Sequence, residues 1–217
     1  MSIVEIPPFL GLESLAGLES LWIHQAVDLI ETFLPKEVQN KYKITDHQGT
    51  QCCMAFEESS LYSRQKMGPL RPFKMYIYDN YGRMIFFCER HFELNSYSVT
   101  VRLYDGTILG SIRHIVPCCR PCDQAFGVFD QNSSKIFRIT VNCCKCRNRE
   151  KSHEFDVFDV HSEKHVAQIR KEWAGYLQEI CTDADTFGVE FLIDLDAKMK
   201  AVIIGAVFLI DFTYYER

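Results

Sequence analysis

Asp183-Ala184-Asp185-Thr186-Phe187-Gly188-Val189-Glu190-Phe191-Leu192-Ile193-Asp194-Leu195-Asp196 runs through Ala197-Lys198-Met199-Lys200 into the apolar stretch AVIIGAVFLI, residues 201–210. No residue from Ala201 to Ile210 carries a polar side chain, and Asp211-Phe212-Thr213-Tyr214-Tyr215 follows at once. A helix apolar on every face must be buried, in a protein core or in lipid. From Ala201 to Tyr215 such a helix rises roughly 22 Å, short of the ~30 Å hydrocarbon core of a bilayer. Asp211 adds the cost of a carboxylate in lipid. The stretch therefore predicts a core helix over 198–215, and a tilted membrane span is the rival.

Upstream, the texture is that of short strands. Four segment pairs alternate aromatic or β-branched residues with polar ones: 74–77 with 84–87, 98–103 with 108–112, 126–129 with 136–141, and 155–158 with 165–169. Turns led by Asp46, Asp79, Asp105, Asp130 and Asp159 punctuate them. An aspartate at a turn accepts hydrogen bonds from the backbone just downstream, and glycine supplies positive φ. Hairpins recurring in this way imply an antiparallel meander or barrel. A closed barrel of that size needs filling, and the apolar helix is the natural plug. Leu15, Leu18, Trp22, Ala26, Leu29, Ile30 and Phe33 are spaced at three and four, which predicts a helix over 12–34 ending before Pro35. The expected organisation is a short segment 1–10 and one domain over 11–217: helix 12–34, hairpin barrel 40–196, helix 198–215.

At 217 residues with 47% hydrophobic and 24% charged residues, the chain is globular in composition. Its net charge of −5 gives no bulk electrostatic reason to bind nucleic acid. Residues 1–5 lack the basic and apolar regions of a signal peptide, so the ten cysteines are expected to be mostly reduced thiols in the cytosol.

The C-terminal block resembles that of the phospholipid scramblase family, whose pattern is D-A-D-x-F-G-x-x-F-x-x-D-L-D-x-x-x-K-A-x-x-I-G-A-x-F-L-x-D-F. Asp183, Ala184, Asp185, Phe187, Gly188, Asp194, Leu195, Asp196, Lys200, Ala201, Ile204, Gly205, Ala206, Phe208, Leu209, Asp211 and Phe212 stand in register with it. Pro7-Pro8-Phe9-Leu10-Gly11-Leu12-Glu13 with Ile23-His24-Gln25, Asn40-Lys41-Tyr42-Lys43-Ile44 and Arg71-Pro72-Phe73-Lys74-Met75 extend the likeness to nearly the whole chain from about Ile6. The resemblance implies a mainly β, tubby-like closed antiparallel barrel of about twelve strands around a buried C-terminal helix. It implies calcium-dependent, ATP-independent movement of phospholipids between leaflets, indifferent to headgroup and without covalent chemistry. It also implies residence at the cytoplasmic face of the plasma membrane. Most of the family's Pro-rich N-terminal extension is not expected here. A single short helix supplies no path for a headgroup, so the reading invokes oligomerisation or bilayer thinning. The alternatives are a lipid-responsive adaptor that does not scramble, and a zinc-stabilised binding domain.

Counted from Asp183, the acidic segment gives an EF-hand-like register: Asp183 at position 1, Asp185 at 3, Gly188 at 6 and Asp194 at 12. Phe187 and Phe191, at 5 and 9, offer no side-chain oxygen, and Val189 falls at the backbone-carbonyl position 7. The expectation is a weak calcium site in which Gly188 permits the sharp turn, with a solvated acidic turn as the plain reading. Lys198 and Lys200 are expected to meet anionic headgroups. Lys200, Ala201, Gly205, Phe208, Asp211 and Tyr215 mark the helix.

Cys119-x-x-Cys122 and Cys143-x-x-Cys146, separated by 20 residues, have the spacing of a zinc site on two knuckles. With Cys118 and Cys144 they also form two clusters suited to S-acylation, and idle thiols are the third reading. The family's own cysteine run after its second hairpin is replaced by Phe92-Glu93-Leu94-Asn95-Ser96-Tyr97. Residues 168–176 align with a nuclear import signal of some members, but Glu172 interrupts the basic residues, and a strand end leading into a loop is preferred. The seven histidines and the serines form no catalytic pattern.

Overall fold

A computed structural model describes residues 11–26, 40–92, 97–115, 126–141, 154–172 and 185–215. Twelve antiparallel strands close into one barrel: β1 Ser20–Ala26, β2 Lys41–Asp46, β3 Gln51–Glu58, β4 Phe73–Asp79, β5 Met84–Arg90, β6 Ser98–Leu103, β7 Ile108–His114, β8 Phe126–Asp130, β9 Lys135–Val141, β10 Glu154–Asp159, β11 His165–Glu172 and β12 Thr186–Phe191. Each strand pairs with its sequence neighbours, and β1 closes the ring against β12 with Ile23 opposite Phe187. This is the closed tubby-like barrel around a helix that the resemblance implies.

Alternation does the building. In β4, Phe73, Met75 and Ile77 point inward and are buried, while Lys74, Tyr76 and Tyr78 are half-buried outside. The interior is filled by α3, Ala197–Tyr214, in which every residue from Lys200 to Phe212 is buried. Asp196 caps it by accepting from the Met199 N–H at 2.8 Å. The wall comes so near that a Cβ on Gly205 would meet Val101 Cγ2 at 2.6 Å. At that point the barrel is narrow enough that only glycine fits. No helix among the described residues is long and apolar enough to cross a membrane.

The up-and-down order gives the barrel two unlike mouths. One, the turn mouth, carries five tight turns and the start of α3. At four of the five an aspartate organises the turn as expected. Asp46 Oδ1 accepts from the N–H groups of Gln48 and Thr50, Asp79 from Tyr81 and Arg83, Asp130 from Asn132 and Ser134, and Asp159 from His161 and Ser162. The β6–β7 turn departs from the rule. Leu103 holds the equivalent place, with its backbone bonded to Thr107 and Gly106, while Asp105 sits two residues later and accepts only from Thr107. The second, or far, mouth receives the longer connections and the C-terminal end of α3. The β3–β4 connection there forms α2, Leu61–Met67, and a 3-10 turn over Gly68–Leu70.

The expected helix over 12–34 is wrong. Among the described residues of that span only α1, Glu13–Ala16, is helical, and Ser20–Ala26 is the strand that closes the barrel. The three-and-four spacing concealed a period of two: Leu21 and Ile23 are fully buried inward, with Trp22 outside between them. The open edges of β2 and β12 supply two ladders of hydrogen bonds, and that tertiary demand outweighs a weak helical pattern. Leu29, Ile30 and Phe33 lie outside the described residues.

Candidate functional site

The acidic segment does not wrap around one point. Thr186–Phe191 is β12, paired on both sides, and its six residues span roughly 20 Å at ~3.3 Å each. Asp185 lies at the far mouth and Asp194 at the turn mouth, so the barrel length separates two of the expected ligands. Asp183 lies outside the described residues. Asp185 already forms an ion pair with Lys171, and its N–H donates to Gln25 Oε1 at 3.1 Å. Phe187, Val189 and Phe191 are buried inward. Gly188 makes no turn: its φ is not positive, and the Trp22 ring lies over it, 2.7 Å from where a Cβ would stand. The EF-hand-like loop is therefore not formed in the closed barrel. The spacing matched the ligand register, but the same residues alternate in and out as a strand. Among the described residues no three His, Cys, Asp or Glu side chains gather as a metal site.

The six clustered cysteines, Cys118, Cys119, Cys122, Cys143, Cys144 and Cys146, lie outside the described residues. The strand ends that flank them, His114 with Phe126 and Val141 with Glu154, are all at the far mouth. Among the described thiols, burial pushes Cys53 up to about 12 and Cys88 higher still, so both are poor nucleophiles. In the segment considered as an import signal, Lys171 is buried against Asp185 and the Tyr215 ring, and Arg170 pairs with Glu190 at 3.1 Å. Those basic groups serve the strand, and residues 173–176 lie outside the described residues.

The helix residues belong to the core. Phe208 packs edge-on against Tyr42 with ring centroids 5.2 Å apart. Asp211, the residue least suited to lipid, accepts from the Tyr42 hydroxyl at 2.7 Å. Tyr215 lies 3.8 Å from the Lys171 Nζ, ring centroid to atom. Lys198 is exposed at the turn mouth, whereas Lys200 is buried and donates to the carbonyls of Ala16 and Leu18 at 2.7 and 2.9 Å. Sequence reading missed the charges that close the far mouth. Arg71 grips Glu57 with two bonds of 2.8 and 3.0 Å, both side chains almost fully buried, and its guanidinium lies 4.6 Å from the Phe212 ring centroid. The only sequence signal was their placement: Glu57 alternates inward in β3, and Arg71 precedes Pro72-Phe73.

The Scramblase family model matches residues 1–217. The chain belongs to the scramblase family. Phospholipid scramblase 1 of Mus musculus is 33% identical over 220 residues, covering 97% of this chain and 65% of that one. Phospholipid scramblase 2 of Bos taurus is 34% identical over 219 residues, covering 97% and 72%. The chain thus spans about two thirds of the length of such relatives. Among solved structures, an X-ray structure of a protein from Arabidopsis thaliana superposes with a TM-score of 0.53 at 13% identity, covering 92% of this chain and 97% of that one. That likeness concerns the fold.

Proposed function

We propose that this scramblase-family barrel associates with membranes and speeds the bidirectional movement of phospholipids between leaflets without ATP. The observation that carries the reading is the family match along the whole chain, with relatives named phospholipid scramblases. The physical task is to keep a polar headgroup solvated across hydrocarbon, because an unsatisfied polar group there costs several kcal/mol. With α3 sealed in the barrel, the lipid path uses the outer barrel surface, several copies, or an opened barrel. Residence at the cytoplasmic face of the plasma membrane, with acylation of the clustered cysteines as an anchor, belongs to the same proposal.

Calcium enters as an opening agent. An ion that gathers Asp183, Asp185 and Asp194 requires β12 to leave its place between β1 and β11. Ion binding and barrel opening are then one equilibrium, and the apparent affinity falls by the fraction of open barrel. The test is leaflet exchange of labelled lipid in vesicles holding the protein, without ATP. Exchange rises with protein, rises further at millimolar calcium, and loses the calcium increment in Asp183→Ala with Asp194→Ala. A disulfide between His24→Cys and Thr186→Cys, which are paired in the β1–β12 ladder, removes that increment until reduced. No acceleration from folded, vesicle-bound protein favours the lipid-responsive adaptor, a reading supported by the enclosure of α3. Deleting 201–215 does not decide between them, because it empties the core.

A further inference from the structure

A cavity of about 380 Å³ opens at the turn mouth, between the segment before β1 and the segment joining β12 to α3. That size lies within the range of small-ligand sites, roughly 300–1,000 Å³. Its lining includes Glu19, Phe191, Leu192, Ile193, Asp194 and Lys200.

Lys200 is the unusual member. It is only 2% exposed, and a lysine inside a protein is ordinarily paired with a carboxylate. Its ammonium uses two of its three donors on the Ala16 and Leu18 carbonyls and lies 5.4 Å from the Phe191 ring centroid. Among the described residues no carboxylate pairs with it. It also sits in the first turn of α3, where the Asp196 carboxylate accepts from the Met199 N–H and offsets the positive helix end. A buried cation without a carboxylate partner, lining a cavity, is an arrangement that an entering anion relieves. The rim has the opposite character. Glu19 and Asp194 line the same cavity, are exposed, and do not bridge to Lys200. Two carboxylates repel a bare anion and hold a cation.

We infer that this cavity binds a zwitterionic phosphodiester, with its phosphate toward Lys200 and its amine or quaternary ammonium between Glu19 and Asp194. Leu192 and Ile193, 44% and 42% exposed, stand beside the opening, where the glycerol end of such a molecule emerges. The site distinguishes a phosphodiester that carries a cationic end from bare phosphate. It deepens the proposed function by naming a ligand class, and only its lipid arm rests on that function.

The full chain is titrated with glycerophosphocholine, inorganic phosphate and choline, followed by calorimetry or amide NMR shifts. Glycerophosphocholine saturates at millimolar concentration and binds more tightly than phosphate or choline. Lys200→Met weakens it by about tenfold or more, the loss of one charge-assisted bond. Because Lys200 also ties α3 to the segment before β1, the exposed pair Glu19→Gln with Asp194→Asn carries the test independently. That variant loses the preference over phosphate while phosphate binding persists or strengthens. No saturation in folded protein, equal affinity for phosphate, or a preference unchanged in the double variant overturns the assignment. Phosphatidylcholine vesicles form the second arm. Vesicle capture that free glycerophosphocholine competes away, and that is lost in Glu19→Gln with Asp194→Asn, assigns the ligand to membrane lipid; saturation without capture assigns it to soluble phosphodiesters. Failure of leaflet exchange with binding intact overturns the proposed function and leaves this site standing.

Discussion

The two mouths of the barrel are closed by different physics. At the turn mouth the hairpin closures are local: at four of the five turns an aspartate accepts N–H groups two to four residues downstream, and a residue with positive φ completes each turn. Lys200 there ties α3 to the distant carbonyls of Ala16 and Leu18. At the far mouth the closures are distant in sequence. Glu57 meets Arg71, Lys171 meets Asp185, and Tyr42 meets Asp211 across 169 positions. Local closures are legible in a sequence and individually modest. Distant ones are invisible in it and, when buried, dominate the cost of change.

The largest effect is therefore expected at the far mouth. Glu57→Ala leaves the Arg71 guanidinium buried without its carboxylate, and removing one partner of a buried pair costs about 3–5 kcal/mol. Denaturant unfolding monitored by tryptophan emission measures it. Replacing both residues by leucine recovers much of the loss if burial of the orphaned charge is the cause. A loss below about 1 kcal/mol would erase the distinction between the mouths.

Between the mouths, Gly205→Ala places a methyl group 2.6 Å from Val101 Cγ2. Overpacking of this kind costs about 1–3 kcal/mol. Gly205→Ala combined with Val101→Ala makes room and restores part of the stability, so a double-mutant cycle shows coupling of opposite sign to the single losses.

What was readable follows the same division. The strands were legible because period-two alternation and aspartate-led turns are local, and the plug was legible because a helix apolar on all sides has only two environments. β1 was misread because Leu15, Leu18, Trp22 and Ala26 satisfy a helical spacing while Leu21 and Ile23 satisfy a strand's. Only knowing that β12 lacks a neighbour decides between them. The acidic segment carries two patterns for the converse reason. Asp183, Asp185, Gly188 and Asp194 have loop spacing, yet Phe187, Val189 and Phe191 alternate inward, and the alternation prevails because the barrel buries it. The pairing of Glu57 with Arg71 and the cavity around Lys200 need the closed ring before they exist.

At the turn mouth, single substitutions are expected to be milder. Asp46→Ala frees the Gln48 and Thr50 N–H groups to water and costs about 1 kcal/mol. The same chemistry sets the acid limb. Burial alone would raise Asp79, but the N–H groups of Arg83 and Tyr81 and the Arg83 guanidinium outweigh it and hold the carboxyl below its usual range. The N–H of Thr107 lowers Asp105, and that of Ser162 lowers Asp159. Carboxyls with lowered folded values contribute stability that is complete above the unfolded value near ~3.9 and is lost as pH falls through the folded ones. Stability should thus decline below about pH 4, and less steeply in Asp79→Asn with Asp159→Asn. An unchanged acid slope would contradict the assignment.

The smallest expected effect has the opposite sign. Gly49, Gly82 and Gly106 hold φ of 78°, 74° and 89° at the third place after Asp46, Asp79 and Leu103. In the β8–β9 turn that place, three after Asp130, is Ser133 with φ of 62°. A residue with a Cβ pays roughly 1–2 kcal/mol to stay left-handed. Glycine removes that strain but returns about 0.4–1 kcal/mol through the freer unfolded chain. The difference leaves Ser133→Gly more stable by a few tenths to about 1 kcal/mol, a rise in Tm on the order of 1–3 °C for a domain of this size. The backbone bond from Ser133 N–H to the Asp130 carbonyl at 3.0 Å is retained by glycine, so nothing else at the turn offsets the gain. Calorimetry of the two proteins checks the sign, and a lowered Tm would show that the serine relieves its own strain in a way that the other turns do not need.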